Sequence, residues 1–361
     1  MTDNPAGDPK GFEPVFCTIV PPHILDQAAQ SGDAAIAAAA RKSLERDAFE
    51  RTRRRMTTVI GAPSVAPPSG AAPEKPQRTI YDARHQTGLP GRKVRGEGDE
   101  PGMDATVNRA YAGLGATFEV YLEKFARHSI DGEGLPLNAT VHYSEDYNNA
   151  FWNGEQMVFG DGDGEIFLDF TLPVDVIGHE LTHGVTQYTA NLTYFGQPGA
   201  LNESVSDVFG SLIKQYTLGQ TATEADWLIG AGLLAPRVTG VALRSMKAPG
   251  TAYDDDVLGK DPQPADMDHF VRTGRDNGGV HINSGIPNHA FYILAEALGG
   301  YAWERAGQIW YDTLTGGGLK QDCLFADFAK ATVKASQARY GAGEEYQSVL
   351  KAWEQVGVPT R

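Results

Sequence analysis

The stretch VDVIGHELTHGVTQY, residues 174–188, decides how the rest of the chain is read. His179 and His183 stand four residues apart, one turn on a helix, so both imidazoles present to one point. Neutral imidazole suits zinc, and Glu180 between them can reach a metal-bound water. Val176, Ile177, Leu181 and Val185, with Gly184, give that helix a buried character. Taken alone, the pattern leaves two readings open: a metal site, or two ordinary helix histidines beside a surface glutamate.

Further along, LNESVSD (201–207) puts Glu203 and Asp207 at i and i+4 on a second helix. A catalytic zinc takes three protein ligands and leaves one position to water, and Glu203 supplies the third ligand. Asp207 is placed to accept the other ring N–H of a ligand histidine, which fixes its tautomer. The competing reading is an amphipathic helix with two solvated acids. A third element, DNGGVHINSG (276–285), reads as a glycine-rich loop in which Asp276 and His281 flank the turn. A loop histidine held by an aspartate can stay protonated and stabilise an oxyanion; the plainer alternative is polar surface.

The chain around these motifs has 361 residues, 41% hydrophobic and 21% charged, enough for two lobes and a leader. A formal net charge of -15 argues against a nucleic-acid partner, which requires a basic face. Cys17 and Cys323 are too few and too far apart for a disulfide framework. No stretch approaches the roughly 18 apolar residues of a membrane span, and MTDNPAGDPKGFEP lacks a secretory pattern.

Residues 1–60 are expected to form a propeptide-like leader. In FCTIVPPHIL, Pro21 and Pro22 predict extended chain, followed by an alanine-rich helix from Asp26 to about Arg55. GAPSVAPPSGAAPEKP, residues 61–76, has almost no large apolar side chains and predicts an exposed linker. Residues 77–190 mix strand and helix. Val107, Ala110, Tyr111, Leu114, Phe118, Tyr121, Leu122 and Phe125 recur at helical spacing, and ATVHY (139–143) and QMVF (156–159) read as strands. Residues 191–361 are mainly helical, with NHAFYILAEAL stopping at Gly299-Gly300. The expected fold class is α+β: a mixed lobe followed by a helical lobe.

In this order, the motifs resemble the thermolysin family of metallopeptidases over residues 77–361. The resemblance implies a two-lobed zinc endopeptidase with His179, His183 and Glu203 as ligands and Glu180 as general base. His281, oriented by Asp276, and Tyr194 would bind the tetrahedral intermediate. NAFW (149–152) resembles the edge strand that holds an extended peptide through Asn149 and Ala150, and LRSM (243–246) the segment whose arginine, Arg244, binds the substrate carbonyl. Phe167, Phe170, Val176 and Leu243 would line a pocket for a bulky apolar residue after the scissile bond. Peptides or proteins are the implied substrates, and the resemblance leaves room for a proteinaceous inhibitor. An inactive scaffold is disfavoured because Glu180, His281 and Tyr194 are all present. An aminopeptidase lacks a motif to anchor a free amine.

Two departures stand out. Thermolysin carries a double calcium site with a helix glutamate where this chain has Lys214, so a lysine paired with Asp175 is expected to replace calcium; the alternative is a solvent-facing lysine. GDGDGE, with Asp161 and Asp163, is expected to be a tight turn, since Ile166 stands where a calcium loop needs glycine. The leader resembles the short proline-bearing propeptides of the protealysin-like branch, which implies an intramolecular inhibitor released by cleavage between about Arg53 and Arg78. Cys17 either occupies zinc's open position as a thiolate or plugs the cleft as an apolar side chain, the latter being preferred. Secretion by a route without a signal peptide is expected, with a cytoplasmic role as the alternative.

Overall fold

The computed structural model describes residues 17–60 and 74–360. Most of the expected linker and the first residues of the leader therefore lie outside the described residues. The elements run β1 (Cys17–Thr18), α1 (Pro22–Ala28), α2 (Ala34–Ile60), β2 (Arg78–Asp82), β3 (Arg92–Gly96), α3 (Ala105–Phe125), β4 (Leu137–Val141), β5 (Ala150–Trp152) and β6 (Met157–Phe159). They continue with α4 (Val174–Gln187), α5 (Gly196–Leu218), β7 (Leu228–Ile229) and β8 (Arg244–Ser245). The last part holds α6 (Asp276–Asn283), α7 (Gly285–Leu298), α8 (Ala306–Thr315), α9 (Phe325–Tyr340) and α10 (Glu344–Gln355).

Six strands form one mixed sheet in the order β1-β5-β6-β4-β2-β3. β2, β4 and β6 run parallel, while β5 turns back antiparallel to β6 and carries β1 on its outer side. α3 begins at Asp104, whose side chain accepts from the backbone N–H of Thr106 and Val107, a regular N-cap. Its periodic apolar face is buried, from Val107 to Phe125.

α4 and α5 form the centre of the molecule, and their close approach rests on glycine. A Cβ on Gly210 would meet the Asp175 carbonyl oxygen at 2.6 Å, and one on Gly178 would meet Ile213 at 2.7 Å. Bare backbone at this crossing brings the polar faces of the two helices within reach of each other. The later helices pack around them with stacked Trp310 and Trp353 rings 5.8 Å apart.

The leader departs from expectation in two ways. Pro22 does not continue an extended run but opens α1, with Pro21 as its N-cap. Proline at the first helical position loses no intrahelical bond and has its φ already set. The single expected helix is also two, broken between Ala28 and Ala34, where Asp33 accepts from the Ala35 N–H.

Candidate metal centre and cleft

The buried faces of α4 and α5 place three polar side chains around one point. His179 Nε2 and His183 Nε2 lie 3.0 Å apart with ring planes at 85°. Glu203 Oε2 is 3.5 Å from His179 Nε2, and Glu203 Oε1 is 3.5 Å from His183 Nε2. Each imidazole is held from behind through its other nitrogen: His179 Nδ1 by Asp207 Oδ1 at 2.8 Å, His183 Nδ1 by Asn202 Oδ1 at 2.8 Å. Burial pushes His183 down to about 3, so it carries a lone pair rather than a charge.

This arrangement fits a cation. With both Nδ1 atoms held by oxygens behind them, the two Nε2 atoms face each other beside a carboxylate, and Glu203 Oε2 is buried without a hydrogen-bond donor. Two imidazoles and one carboxylate are the donor set zinc takes with a fourth position open. Asn202 was legible only as part of a pattern; the structure adds its role in fixing the His183 ring.

Glu180 sits one residue along α4, fully buried, its Oε2 accepting from the Trp152 N–H at 2.9 Å. Burial pushes this carboxyl up to about 8. Across the cleft stands His281, on a short helical turn rather than the expected loop. The chain reaches that turn through Asp276, Asn277, Gly278 and Gly279, all with positive φ, a run that two glycines make accessible. The kink folds Asp276 back, so its Oδ1 holds His281 Nδ1 at 2.6 Å and its Oδ2 accepts the His281 N–H at 2.9 Å. Burial lowers His281, but the Glu203 and Asp276 carboxylates outweigh it and raise it. The Tyr194 hydroxyl lies 3.3 Å from His281 Nε2 and donates to Glu203 Oε1.

Arg244 is fully buried. Its Nε and Nη2 donate to the two oxygens of Asp207 at 2.8 Å each, so it locks the carboxylate that locks His179. Asn288 Nδ2 donates to Asp207 Oδ2 as well. Phe167, Phe170, Val176 and Leu243 are all buried, with the Phe167 and Phe170 rings 5.7 Å apart.

The leader lies in the cleft. β1 pairs antiparallel with β5, Cys17 opposite Trp152 and Thr18 opposite Phe151. The Ile19 N–H donates to the Ala150 carbonyl at 3.2 Å, and the Val20 N–H to Asn149 Oδ1 at 2.9 Å. Arg244 Nη1 donates to the Ile19 carbonyl at 3.0 Å, and His281 Nε2 reaches the Thr18 carbonyl at 3.0 Å. Asn149, Ala150, Arg244 and His281 thus all hold leader backbone. Cys17 is buried and not disulfide-linked; its Sγ and one ligand atom each of His183 and Glu203 lie within 4.8 Å of one another.

Sequence reasoning missed how α2 fastens this strand. Asp47 accepts from Asn149 Nδ2 at 2.9 Å and from the Tyr147 hydroxyl at 2.5 Å. Glu50 accepts from the Tyr143 hydroxyl at 2.8 Å, and Ser43 Oγ from the Asn148 N–H at 3.0 Å. Nothing in the helix pattern distinguishes these acids from solvated ones.

Of the two departures, Lys214 turns inward: its Nζ is 3.0 Å from Asp175 Oδ2 and 2.7 Å from Asp226 Oδ1, and donates to the Leu228 carbonyl. Asp163 closes a turn, its Oδ1 accepting from the N–H of Glu165, Ile166 and Phe167.

Comparison with known proteins agrees with this architecture. Residues 73–187 match the family described as thermolysin metallopeptidase, catalytic domain, and residues 190–358 its alpha-helical domain. An extracellular metalloprotease of Pectobacterium carotovorum subsp. carotovorum is 50% identical, covering 96% of this chain and 97% of that protein. Protease PrtS of a Photorhabdus strain is 54% identical over 79% of this chain and 77% of its own length. The solved precursor of protealysin, a metalloproteinase from Serratia proteamaculans, superposes with a TM-score of 0.84 at 51% identity, covering 95% of this chain and 100% of that one.

Proposed function

The chain belongs to the thermolysin family of metallopeptidases, and on that premise we propose that it is a zinc endopeptidase kept silent by its own leader. The observation that carries the reading is the meeting of His179, His183 and Glu203 at one buried point with Glu180 beside it. His179, His183 and Glu203 would hold the ion. When bound, zinc acts as a Lewis acid and brings the pKa of the attacking water toward about 7.

The chain's own residues supply the rest. Glu180 takes the proton of that water and passes it to the leaving amine. His281 and Tyr194 donate hydrogen bonds to the carbonyl oxygen as it gains charge, His281 being held in place by Asp276. Asp207, itself clamped by Arg244, keeps the His179 ring in the tautomer that presents Nε2 forward. Asn149, Ala150 and Arg244 hold the substrate backbone as they now hold residues 18–20. Phe167, Phe170, Val176 and Leu243 shape the pocket for a bulky apolar residue on the carboxyl side of the cut.

In the precursor, residues 1–60 act as the inhibitor, 61–76 as the linker to be cut, 77–190 as the mixed lobe and 191–361 as the helical lobe. Proximity to His183 and Glu203 supports the ligand reading of Cys17 over the plug, with the thiolate closing the open position until the linker is cut. Lys214 takes the place of a calcium pair. Secretion is supported by the extracellular relative.

The test compares wild type with Glu180→Gln on an internally quenched peptide bearing an apolar residue after the cut. Wild type is expected to cleave the peptide and its own linker, while the variant binds zinc and does neither. Zinc-loaded wild type that stays inert after the linker is cut in trans would establish an inactive scaffold instead.

A further inference from the structure

A second cluster of metal-binding side chains lies outside the cleft, where three parallel strands end. His85 follows β2, His142 follows β4 and Asp161 follows β6, and the strands are neighbours in the order β6-β4-β2. One ligand atom from each of the three lies within 4.8 Å of the others, the same spacing that marks Cys17, His183 and Glu203 in the cleft. His142 Nδ1 is 2.9 Å from both Asp161 oxygens, and His85 Nδ1 is 3.5 Å from Asp161 Oδ2. For ligand bonds of about 2.1 Å, the edge of a tetrahedral zinc site is about 3.4 Å, so the separations from Asp161 need little adjustment.

A fourth residue makes this more than a chance gathering. His142 Nε2 faces Asp104 Oδ2 at 3.0 Å, while Asp104 Oδ1 caps α3. Asp104 is thus fixed by the helix start, and its hold on Nε2 leaves His142 Nδ1 facing Asp161. A carboxylate behind a histidine whose other nitrogen faces a carboxylate and a second imidazole is the outer arrangement metal histidines adopt. The backbone is committed as well. His85 and His142 both have positive φ, 57° and 53°, and the His85 N–H donates to the His142 carbonyl at 2.8 Å. Two non-glycine residues held in that strained region, with their rings 5.6 Å apart, indicate a site where the surroundings enforce geometry.

We propose that His85, His142 and Asp161 form a second divalent transition-metal site, oriented by Asp104 and open to solvent at its remaining position. Two nitrogen donors and one carboxylate suit zinc and its first-row neighbours rather than calcium, which takes oxygen ligands. The ion takes the place of the Nδ1 proton that His142 directs at Asp161, so binding releases that proton to solvent while the Nε2–H stays on Asp104. It ties together the ends of the three parallel strands. It also sits beside Gly160, whose N–H donates to the Asn149 carbonyl at the start of the peptide-binding strand.

The experiment counts zinc by mass spectrometry on the full-length protein after dialysis against buffered free zinc in the low micromolar range. Wild type is expected to hold a second equivalent. His85→Asn, which keeps a residue tolerant of positive φ, is expected to lose that equivalent and keep the first. His183→Ala is expected to lose the first and keep the second, which separates this site from the catalytic reading. Copper(II) loaded into the His183→Ala protein should show nitrogen coupling in its paramagnetic resonance spectrum that weakens in the His85→Asn double variant. A single zinc per wild-type chain, or a second equivalent that survives both His85→Asn and Asp161→Asn, would overturn the proposal.

Discussion

The two ends of the α4–α5 pair handle buried carboxylates in opposite ways. At one end Glu203 keeps an oxygen without a donor, and two histidines turn their Nε2 atoms toward it. At the other end Asp175 is fully buried, and Lys214 brings a permanent cation to it at 3.0 Å. That contact is electrostatic rather than a well-aligned hydrogen bond, and Lys214 saves its directional bonds for Asp226 and the Leu228 carbonyl. A side-chain ammonium suffices where charge only has to be balanced. The proposed function asks the other end for a cation that also accepts a substrate oxygen, and an ammonium offers protons and no vacant site.

The largest effect comes from breaking the open end. Glu180→Gln removes the proposed proton carrier without touching a proposed ligand, so peptide cleavage should fall by roughly 10²- to 10⁴-fold with zinc content unchanged. Glu203→Gln should lower both activity and zinc content. If Glu203→Gln retained full zinc while losing activity, the contrast between the two ends would collapse.

The closed end yields to Lys214→Met. Removing one partner of a buried pair leaves an uncompensated charge at Asp175, which costs about 3 to 5 kcal/mol. Burial already raises the Asp175 carboxyl despite Lys214, so the variant escapes part of the penalty by protonating. Denaturant unfolding should show the loss, and it should be smaller at low pH. The wild-type midpoint should not move when calcium is chelated at fixed zinc; a large drop would show that Lys214 has not replaced the ion.

Why one end was readable in sequence and the other detail was not follows from distance along the chain. His179, Glu180 and His183 share one turn, and Glu203 and Asp207 share the next helix, so helical periodicity alone aims them. Lys214 was legible as a departure from a pattern. The pairing of Cys17 with Trp152 joins residues from opposite sides of a helix-rich leader, and no local period encodes it. Pro22 misled because proline's fixed φ serves both an extended strand and the first turn of a helix. Nothing local marks Asp47 and Glu50 for burial, since the partners that hold them, Tyr147, Asn149 and Tyr143, lie on a distant segment.

The leader sharpens the same contrast, because in the proposed precursor Cys17 supplies from outside what the open end lacks. Cys17→Ala should weaken inhibition by the leader on the order of 10²-fold, about 3 kcal/mol. Activity that appears no faster in the variant after the linker is cut in trans would return Cys17 to the role of an apolar plug.

The smallest effect is a matter of pH at the fastening of α2. Burial pushes the Asp47 carboxyl from 3.8 up to about 7, with the hydrogen bonds from Tyr147 and Asn149 recovering only part of the cost. The docked leader therefore prefers a protonated Asp47, while the released leader ionises it near its ordinary value. Docking is strongest below about pH 4, weakens as pH rises toward 7, and changes no further above that. Asp47→Asn removes this slope, at the cost of one imperfect hydrogen bond to Tyr147 or Asn149, about 1 kcal/mol. The ratio of inhibition constants for wild-type and Asp47→Asn leaders, taken on the same mature enzyme from pH 6 to 8, cancels the titration of the cleft. That ratio should change about tenfold in favour of the wild-type leader at the acid end, roughly one pKa unit's worth of free energy. A ratio flat across this range would mean that Asp47 stays ionised in the docked state, with α2 held by Ser43 and Glu50 and by apolar packing instead.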